Sequence, residues 1–162
     1  MQAPIGSAGY GFFPANIDIQ VLASNAFTKG DHGQLDFLGG TSTVPGNVAS
    51  GFVKFKDPVF TDTAATSEGA CGVYGVCLED IASGAVGLVR LRGVVNANIE
   101  AAITVGQATI PATDGRLDIA TGGSNKKVIA IALAADSPTN FADVLFDGIN
   151  GFGQDVAANV SS

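Results

Sequence analysis

The sequence predicts an all-β protein: a small β-sandwich or β-barrel-like domain that carries an extended N-terminal arm. Short runs that alternate apolar and polar residues recur along the chain, and turn-forming residues separate them at intervals of roughly ten residues. Glycine makes up 22 of the 162 residues, and only residues 96–102, where an asparagine could cap a turn, give a helical signal. We therefore expect at most one short helical turn.

Residues 1–25 are predicted to form the N-terminal arm. Residues 6–11 are too rich in glycine to hold one conformation by themselves. They contain Tyr10 and are followed by Phe12 and Phe13. Because aromatic rings need a surface that shields them from water, we expect these three side chains to be buried either on this fold or on a partner.

The last part of this arm predicts a strand. Ile17, Ile19 and Val21 alternate with polar residues, which is the period of an extended chain. We expect this strand to pair with something outside the chain.

The β-domain is predicted to occupy residues 26–147, followed by a tail of small and polar residues at 148–162. Its strands are expected at residues 34–38, 51–56, 72–78, 86–96, 103–110, 116–120, 127–133 and 141–146. Asp114 and Gly115 lie between two apolar runs, which is a strong signal for a hairpin turn.

Composition and charge exclude several classes of partner. Eight Lys and Arg residues against fifteen Asp and Glu residues give a net charge of -7, whereas phosphate binding requires clustered cations. No run approaches the ~20 apolar residues of a membrane span. Residues 1–14 contain no Lys or Arg and are interrupted by Pro and Gly, unlike a secretory signal. We expect no nucleic-acid or membrane partner, and synthesis in a cytoplasm.

A search for catalytic, metal and cofactor sites finds no candidate. His32, the one histidine, is predicted to be exposed in a turn, without a nucleophile motif to serve. Cys71 and Cys77 lie about 20 Å apart if the segment is extended, which is too far for a disulfide. Two buried thiols are the favoured interpretation, and the spacing is not that of a zinc site. We predict that the protein is not an enzyme and has no catalytic, metal-binding or cofactor-binding residues.

Arg90 and Arg92 are the most informative charged pair, because residues two apart on a strand project from the same face. One interpretation is a solvated strand surface whose charge discourages edge pairing. The other is a basic stripe that meets carboxylates of a neighbouring subunit.

Residues 75–95 contain an acidic turn, Glu-Asp-Ile-Ala-Ser-Gly at 79–84, followed by the strand sequence Val-Arg-Leu-Arg-Gly-Val-Val at 89–95. This segment resembles the central part of capsid decoration (cement) proteins of tailed bacteriophages and cyanophages. The resemblance covers roughly residues 50–150. It includes the family's closing hairpins, at residues 103–110, 114–115, 127–133 and 141–148.

The resemblance implies a homotrimer on the exterior of a mature icosahedral capsid, where it stabilises contacts between major capsid subunits. The major capsid protein would be its partner and the virion its location. The candidate residues for capsid or subunit contacts are Tyr10, Phe12, Phe13, Ile17, Ile19, Val21, Arg90 and Arg92. Two alternatives remain: a glycan- or host-surface-binding module of a phage particle, and an enzyme on a trimeric β-scaffold similar in outline to dUTPase.

Overall fold

The computed structural model describes residues 16–36, 52–58, 72–112, 114–122, 126–135, 140–153 and 155. In these ranges the chain forms strands and no helix, which confirms the all-β prediction. The strands are β1 (Ile17–Ala23), β2 (His32–Asp36), β3 (Val53–Lys56), β4 (Tyr74–Cys77), β5 (Val86–Asn98), β6 (Ala108–Pro111), β7 (Leu117–Ile119), β8 (Ala130–Ala132) and β9 (Phe141–Asp147).

Five of these strands close into a barrel, in the order β1-β3-β2-β4-β5. The barrel closes because β1 also pairs with β5, antiparallel, with Ile19 opposite Val89. The β1–β3 pair is parallel, whereas the other pairs of the barrel are antiparallel. Closure gives the polar backbone groups of these strands partners within the chain.

The remaining strands continue the sheet from β5 in the order β9-β8-β6-β7, and we call this part the sheet extension. It is joined to the barrel by β5, which is 13 residues long. The first half of β5 pairs with β1, and the half from Arg92 to Asn98 pairs with β9. The predicted Asp114-Gly115 hairpin is confirmed, since β6 and β7 pair antiparallel on either side of it, and Gly115 has a φ of 81°.

A glycine marks the point where β5 passes from the barrel to the extension. Gly93 has a φ of 124°, a conformation that L side chains rarely adopt. A Cβ at this position would collide with the side chain of Asn16. The β1–β5 register shifts at the same level, between Ile17 and Asp18.

Two apolar cores are formed, and β4 and β5 contribute side chains to both of them. The barrel interior is filled by residues such as Val21, Phe55 and Val89, with the rings of Phe27 and Phe55 4.7 Å apart. The second core lies beneath the sheet extension and includes Val144 and Phe146. Val76 of β4 belongs to the second core and its neighbour Cys77 to the first, because successive side chains of a strand point to opposite faces.

The helical turn considered for residues 96–102 does not form. β5 continues to Asn98, and Ile99 makes a bridge to Leu117. Ala97 and Ile99 are fully buried, so the segment follows the two-residue period of a strand.

The first residues after β9 lie against the barrel. The Lys127 ammonium donates hydrogen bonds to the carbonyl oxygens of Gly72 (2.9 Å), Gly148 (3.3 Å) and Ile149 (2.7 Å). Of the segment predicted as a tail, residues 148–153 and 155 are described, and Ile149 packs against the barrel core.

Candidate interaction surface

The predicted interface residues Tyr10, Phe12 and Phe13 lie outside the described residues. Their assignment to a contact surface stays a prediction. The described chain begins at Asn16, immediately before β1.

The strand that contains Ile17, Ile19 and Val21 is part of the barrel. It pairs with β5 along most of its length, and from Val21 onward its other edge pairs with β3. Val21 is fully buried, Ile19 is half-buried against the barrel core, and Ile17 is exposed at the rim. The expectation that this strand has its partner outside the chain is therefore wrong. The alternation of apolar and polar residues predicts a strand, but it does not show which strand pairs with it.

Arg90 and Arg92 each bind a carboxylate of the same chain. The Arg90 Nε and Nη2 atoms donate to the two carboxylate oxygens of Asp18, at 2.8 and 2.9 Å. Arg92 donates from Nη2 and Nε to Oδ2 of Asp147, at 2.6 and 3.1 Å. The interpretation in which a basic stripe meets carboxylates of another subunit is therefore not supported, because both guanidinium groups are occupied by internal ion pairs.

Both carboxylates of these pairs are held in the ionised form. The hydrogen bond from Arg90 lowers the pKa of Asp18. Burial alone would raise the pKa of Asp147, but the backbone amide of Asn150 and the Arg92 guanidinium outweigh it and lower that pKa. The two arginines thus add little net charge to this face.

Arg90 also links the beginning of β1 to β5. Its Nη1 atom donates to the carbonyl oxygen of Val94 at 2.6 Å, while its other nitrogens bind Asp18. The guanidinium therefore joins β1 to β5 around the irregular Gly93, next to Asn16. Asn16, the residue before β1, therefore lies against Gly93, and Val94 is the next residue of β5.

A row of apolar side chains crosses the outer face of the sheet extension beside this junction. Val94 lies opposite Leu145, Leu145 opposite Ile131, and Ile131 opposite Ala108. Residues directly opposite each other share a face, so these four form a continuous strip, which we call the outer strip. All four are partly or largely exposed, whereas Val95 and Val144, one residue along, are buried in the second core.

Polar pairs border the outer strip on both sides. On one side is the Arg92–Asp147 ion pair, and on the other the Asn96 side chain donates to Asp143 at 3.0 Å. An apolar centre with a polar rim is the usual anatomy of a protein interaction surface. The strip could not be predicted from the sequence, because its residues come from four strands and only the pairing registers of those strands bring them together.

His32 does not lie in an exposed turn, as the sequence suggested, but is fully buried at the start of β2. The strand begins there because His32 pairs with Val76 of β4, and the His32 amide also donates to the Gly115 carbonyl at 2.7 Å. The ring lies 6.3 Å from that of Tyr74, and within the described ranges neither ring nitrogen has a hydrogen-bond partner. Burial lowers the pKa of His32 to about 4, although backbone groups of Gly115 and Ala112 and the carboxylates of Asp114 and Asp31 act in the opposite direction.

Cys77 is buried, as predicted, and burial raises the pKa of its thiol. Cys71 lies outside the described residues. In the part of the chain that the structure describes, no three His, Cys, Asp or Glu side chains are grouped so as to hold a metal ion. The same ranges contain no helix with the length and hydrophobicity needed to cross a membrane.

Comparison with known proteins finds a similarity of fold. No protein-family model matches the chain, and no curated protein matches it in sequence. Among solved structures, the N base of the head fiber gp8.5 in bacteriophage phi29 superimposes with a TM-score of 0.51 at 11% sequence identity. The match covers 82% of this chain and 95% of that chain, so nearly the whole of that base shares this architecture.

Proposed function

We propose that this chain is a structural protein of a bacteriophage particle that binds the outer surface of the mature icosahedral capsid. The observation that carries the proposal is the fold shared with a phage head fiber base over 95% of that base. The resemblance of residues 75–95 to capsid decoration proteins is a second support that rests on different grounds. The proposed role is adhesive, and it requires no catalytic group.

We extend the proposal to a homotrimer that stabilises contacts between major capsid subunits. A trimer that touches several subunits gains affinity through multivalency, since each further contact forms at a high effective concentration. A ligand that binds only the assembled shell also stabilises that shell by mass action. The net charge of -7 suits a protein that must not adhere to the packaged DNA.

We place the attachment surface on the outer strip together with Tyr10, Phe12 and Phe13. The strip supplies exposed apolar area, and apolar patches with a polar border are typical contact sites on otherwise soluble folds. The barrel half is a weaker candidate, because its two outward arginines are already paired within the chain.

The test mixes the purified chain with mature, undecorated capsids and with procapsids of a tailed phage, and measures co-sedimentation. We expect saturable binding to mature shells and a trimeric mass in solution. Val94→Asp should weaken binding at least tenfold, which is about 1.4 kcal/mol. Val86→Asp is the matched control, because Val86 lies on the same strand and is exposed to the same degree, 44% against 45%. Absence of binding to either shell would refute the proposal.

A further inference from the structure

We propose that His32 is a pH-sensitive switch for the sheet extension: protonation of its imidazole releases residues 114–120, which include β7, from the barrel while β1 stays paired with β5. The switch operates in the isolated chain. It does not depend on the proposed function, because it needs neither a capsid nor a second copy.

The first argument is the position of His32 between the barrel and the β6–β7 hairpin. His32 lies opposite Val76 of β4, and residues directly opposite each other share a face of the sheet. Val76 belongs to the second core, as does Leu117 at the start of β7. The His32 amide also donates to the Gly115 carbonyl at 2.7 Å. The fully buried imidazole therefore lies on the side of the barrel that the sheet extension covers.

The second argument is that the carboxylates near this imidazole already have other partners. Within the described ranges neither ring nitrogen has a hydrogen-bond partner. Asp31 and Asp114 favour the charged ring, but Asp31 accepts hydrogen bonds from a backbone amide at 2.8 Å and from the Asn98 side chain at 3.0 Å. Asp114 accepts from Nε of Arg116 at 2.7 Å. A buried charge that lacks a close partner is strongly unfavourable, so the closed fold disfavours the imidazolium.

The other neighbours of the ring do not reverse this preference. Tyr74 of β4, whose ring lies 6.3 Å away, is uncharged in the acid range, and Cys77 belongs to the barrel core on the opposite face. Burial therefore dominates and lowers the pKa of His32 to about 4, whereas its ordinary value is 6.5. Between these two pH values, protonation favours a state in which water reaches the imidazole.

The third argument is that β7 is held more weakly than the barrel strands. β7 has three residues at the end of the sheet, and among the described strands it pairs only with β6, apart from one bridge between Leu117 and Ile99. β2, which carries His32, is paired on both sides. Weakly paired elements open locally at a lower free-energy cost than global unfolding. Displacement of residues 114–120 is therefore the easiest way for water to reach the imidazole.

The test measures amide hydrogen exchange by NMR in the full chain at pH 7 and pH 5, at several low urea concentrations. Three reporter amides bond to or from the released segment: His32 to Gly115, Glu100 to Leu117 and Ala120 to Ala108. We expect their opening constants to rise about 20-fold from pH 7 to pH 5, after correction for intrinsic exchange, without dependence on urea. The Ala23 amide, which bonds to Ala85 in the barrel, should exchange more slowly and with the urea dependence of global unfolding.

Two variants test whether the rise belongs to His32. His32→Gln should remove the pH dependence of the reporter amides, since glutamine does not titrate. Asp57→Asn is the matched control, because burial raises the pKa of the Asp57 carboxylate and moves its titration toward this pH range. The rise should persist in Asp57→Asn. A rise that persists in His32→Gln overturns the proposal.

The wild-type chain decides the question even if His32→Gln fails to fold. If the reporter amides show the same rates and urea dependence as Ala23 at pH 5, only global unfolding exposes His32, and the proposal is overturned. The ring signals of the single histidine report its protonation directly. If they reach the protonated position while the reporter amides keep their pH 7 protection, the closed fold accommodates the charge, which overturns the proposal as well.

Discussion

The two halves of β5 show how one strand serves two different surfaces. Before Gly93 the outward side chains Arg90 and Arg92 are neutralised by carboxylates of the same chain. After Gly93 the next outward residue is Val94, which belongs to the outer strip. The charged side chains of the first half are therefore paired within the chain, whereas the second half leaves apolar area exposed. Under the proposed function, closure of the barrel and attachment to the capsid are therefore divided between neighbouring segments of one strand.

The largest expected effect tests the barrel half. Phe55→Ala removes a fully buried ring that packs at a tilt against the ring of Phe27, and we expect the free energy of unfolding to fall by about 3–5 kcal/mol. Urea unfolding followed by circular dichroism measures the change. The control is Phe152→Ala, an exposed ring, for which a change within about 0.5 kcal/mol is expected.

The same measurement shows whether the two parts unfold together. Phe146→Ala opens a cavity in the second core, and it should shift the transition without splitting it, because β4 and β5 contribute side chains to both cores. Two separate transitions in either variant would show that the barrel and the extension are independent folding units.

The next effect concerns pH and the buried His32. In the unfolded chain this imidazole has its ordinary pKa of 6.5, and in the folded chain about 4. The unfolded state therefore binds more protons between these values, so the free energy of unfolding decreases as pH falls from 6.5 to about 4. The loss over this window is roughly 3 kcal/mol. Chemical unfolding at a series of pH values measures it.

His32→Gln is the control for that slope, since glutamine is polar but does not titrate. The pH dependence between 6.5 and 4 should flatten in this variant. The ion-paired Asp18 and Asp147 have lowered pKa values, so their own contributions are lost below 3.8, outside this window. An unchanged slope in His32→Gln would contradict the assignment to His32.

A smaller effect is expected where β5 passes between the two parts. Gly93→Ala places a methyl group against Asn16 at a φ of 124°, and we expect a loss of about 2–3 kcal/mol. Gly84→Ala is the matched control, because its φ is also positive, 77°, but nothing lies within 4 Å of the added carbon. It should cost about 1 kcal/mol. Equal losses in thermal or urea unfolding would show that Gly93 is not a steric junction.

The smallest of these effects concerns the segment after β9. Lys127→Met removes an ammonium that binds three carbonyl oxygens, and we expect a loss of about 2 kcal/mol with faster hydrogen exchange at residues 148–151. Lys126→Met is the control, since the Lys126 ammonium donates to the Pro111 carbonyl at a longer 3.3 Å. Similar exchange in both variants would contradict a specific role for Lys127.

The strand pattern could be predicted from the sequence to a large extent. Each of the nine described strands overlaps a segment whose alternation or apolar run predicted one, and the Asp114-Gly115 hairpin is where expected. The alternation of apolar and polar residues is a local property, which can be recognised in each segment without the rest of the chain. The choice between sandwich and barrel is not local, because it depends on whether β1 meets β5.

The candidate surface could not be predicted from the sequence, because it too depends on contacts between residues that are distant in the chain. Arg90 and Arg92 were identified, but their partners Asp18 and Asp147 lie 72 and 55 residues away. His32 was misplaced because its surroundings come from the β6–β7 hairpin, whose Gly115 carbonyl accepts its amide hydrogen bond. The outer strip required the registers of four strands at once.

The pairing of β1 with β5 also constrains the order of events during synthesis. β1 is the first of the described strands to be made, yet the segment that pairs with it, Val86 to Arg92, follows more than 60 residues later. Until residue 92 has left the ribosome, Ile17–Ala23 must remain without this neighbour. Contacts so distant in sequence also slow folding. During this part of synthesis the edge of β1 is therefore unpaired, and chaperones or other chains can bind it.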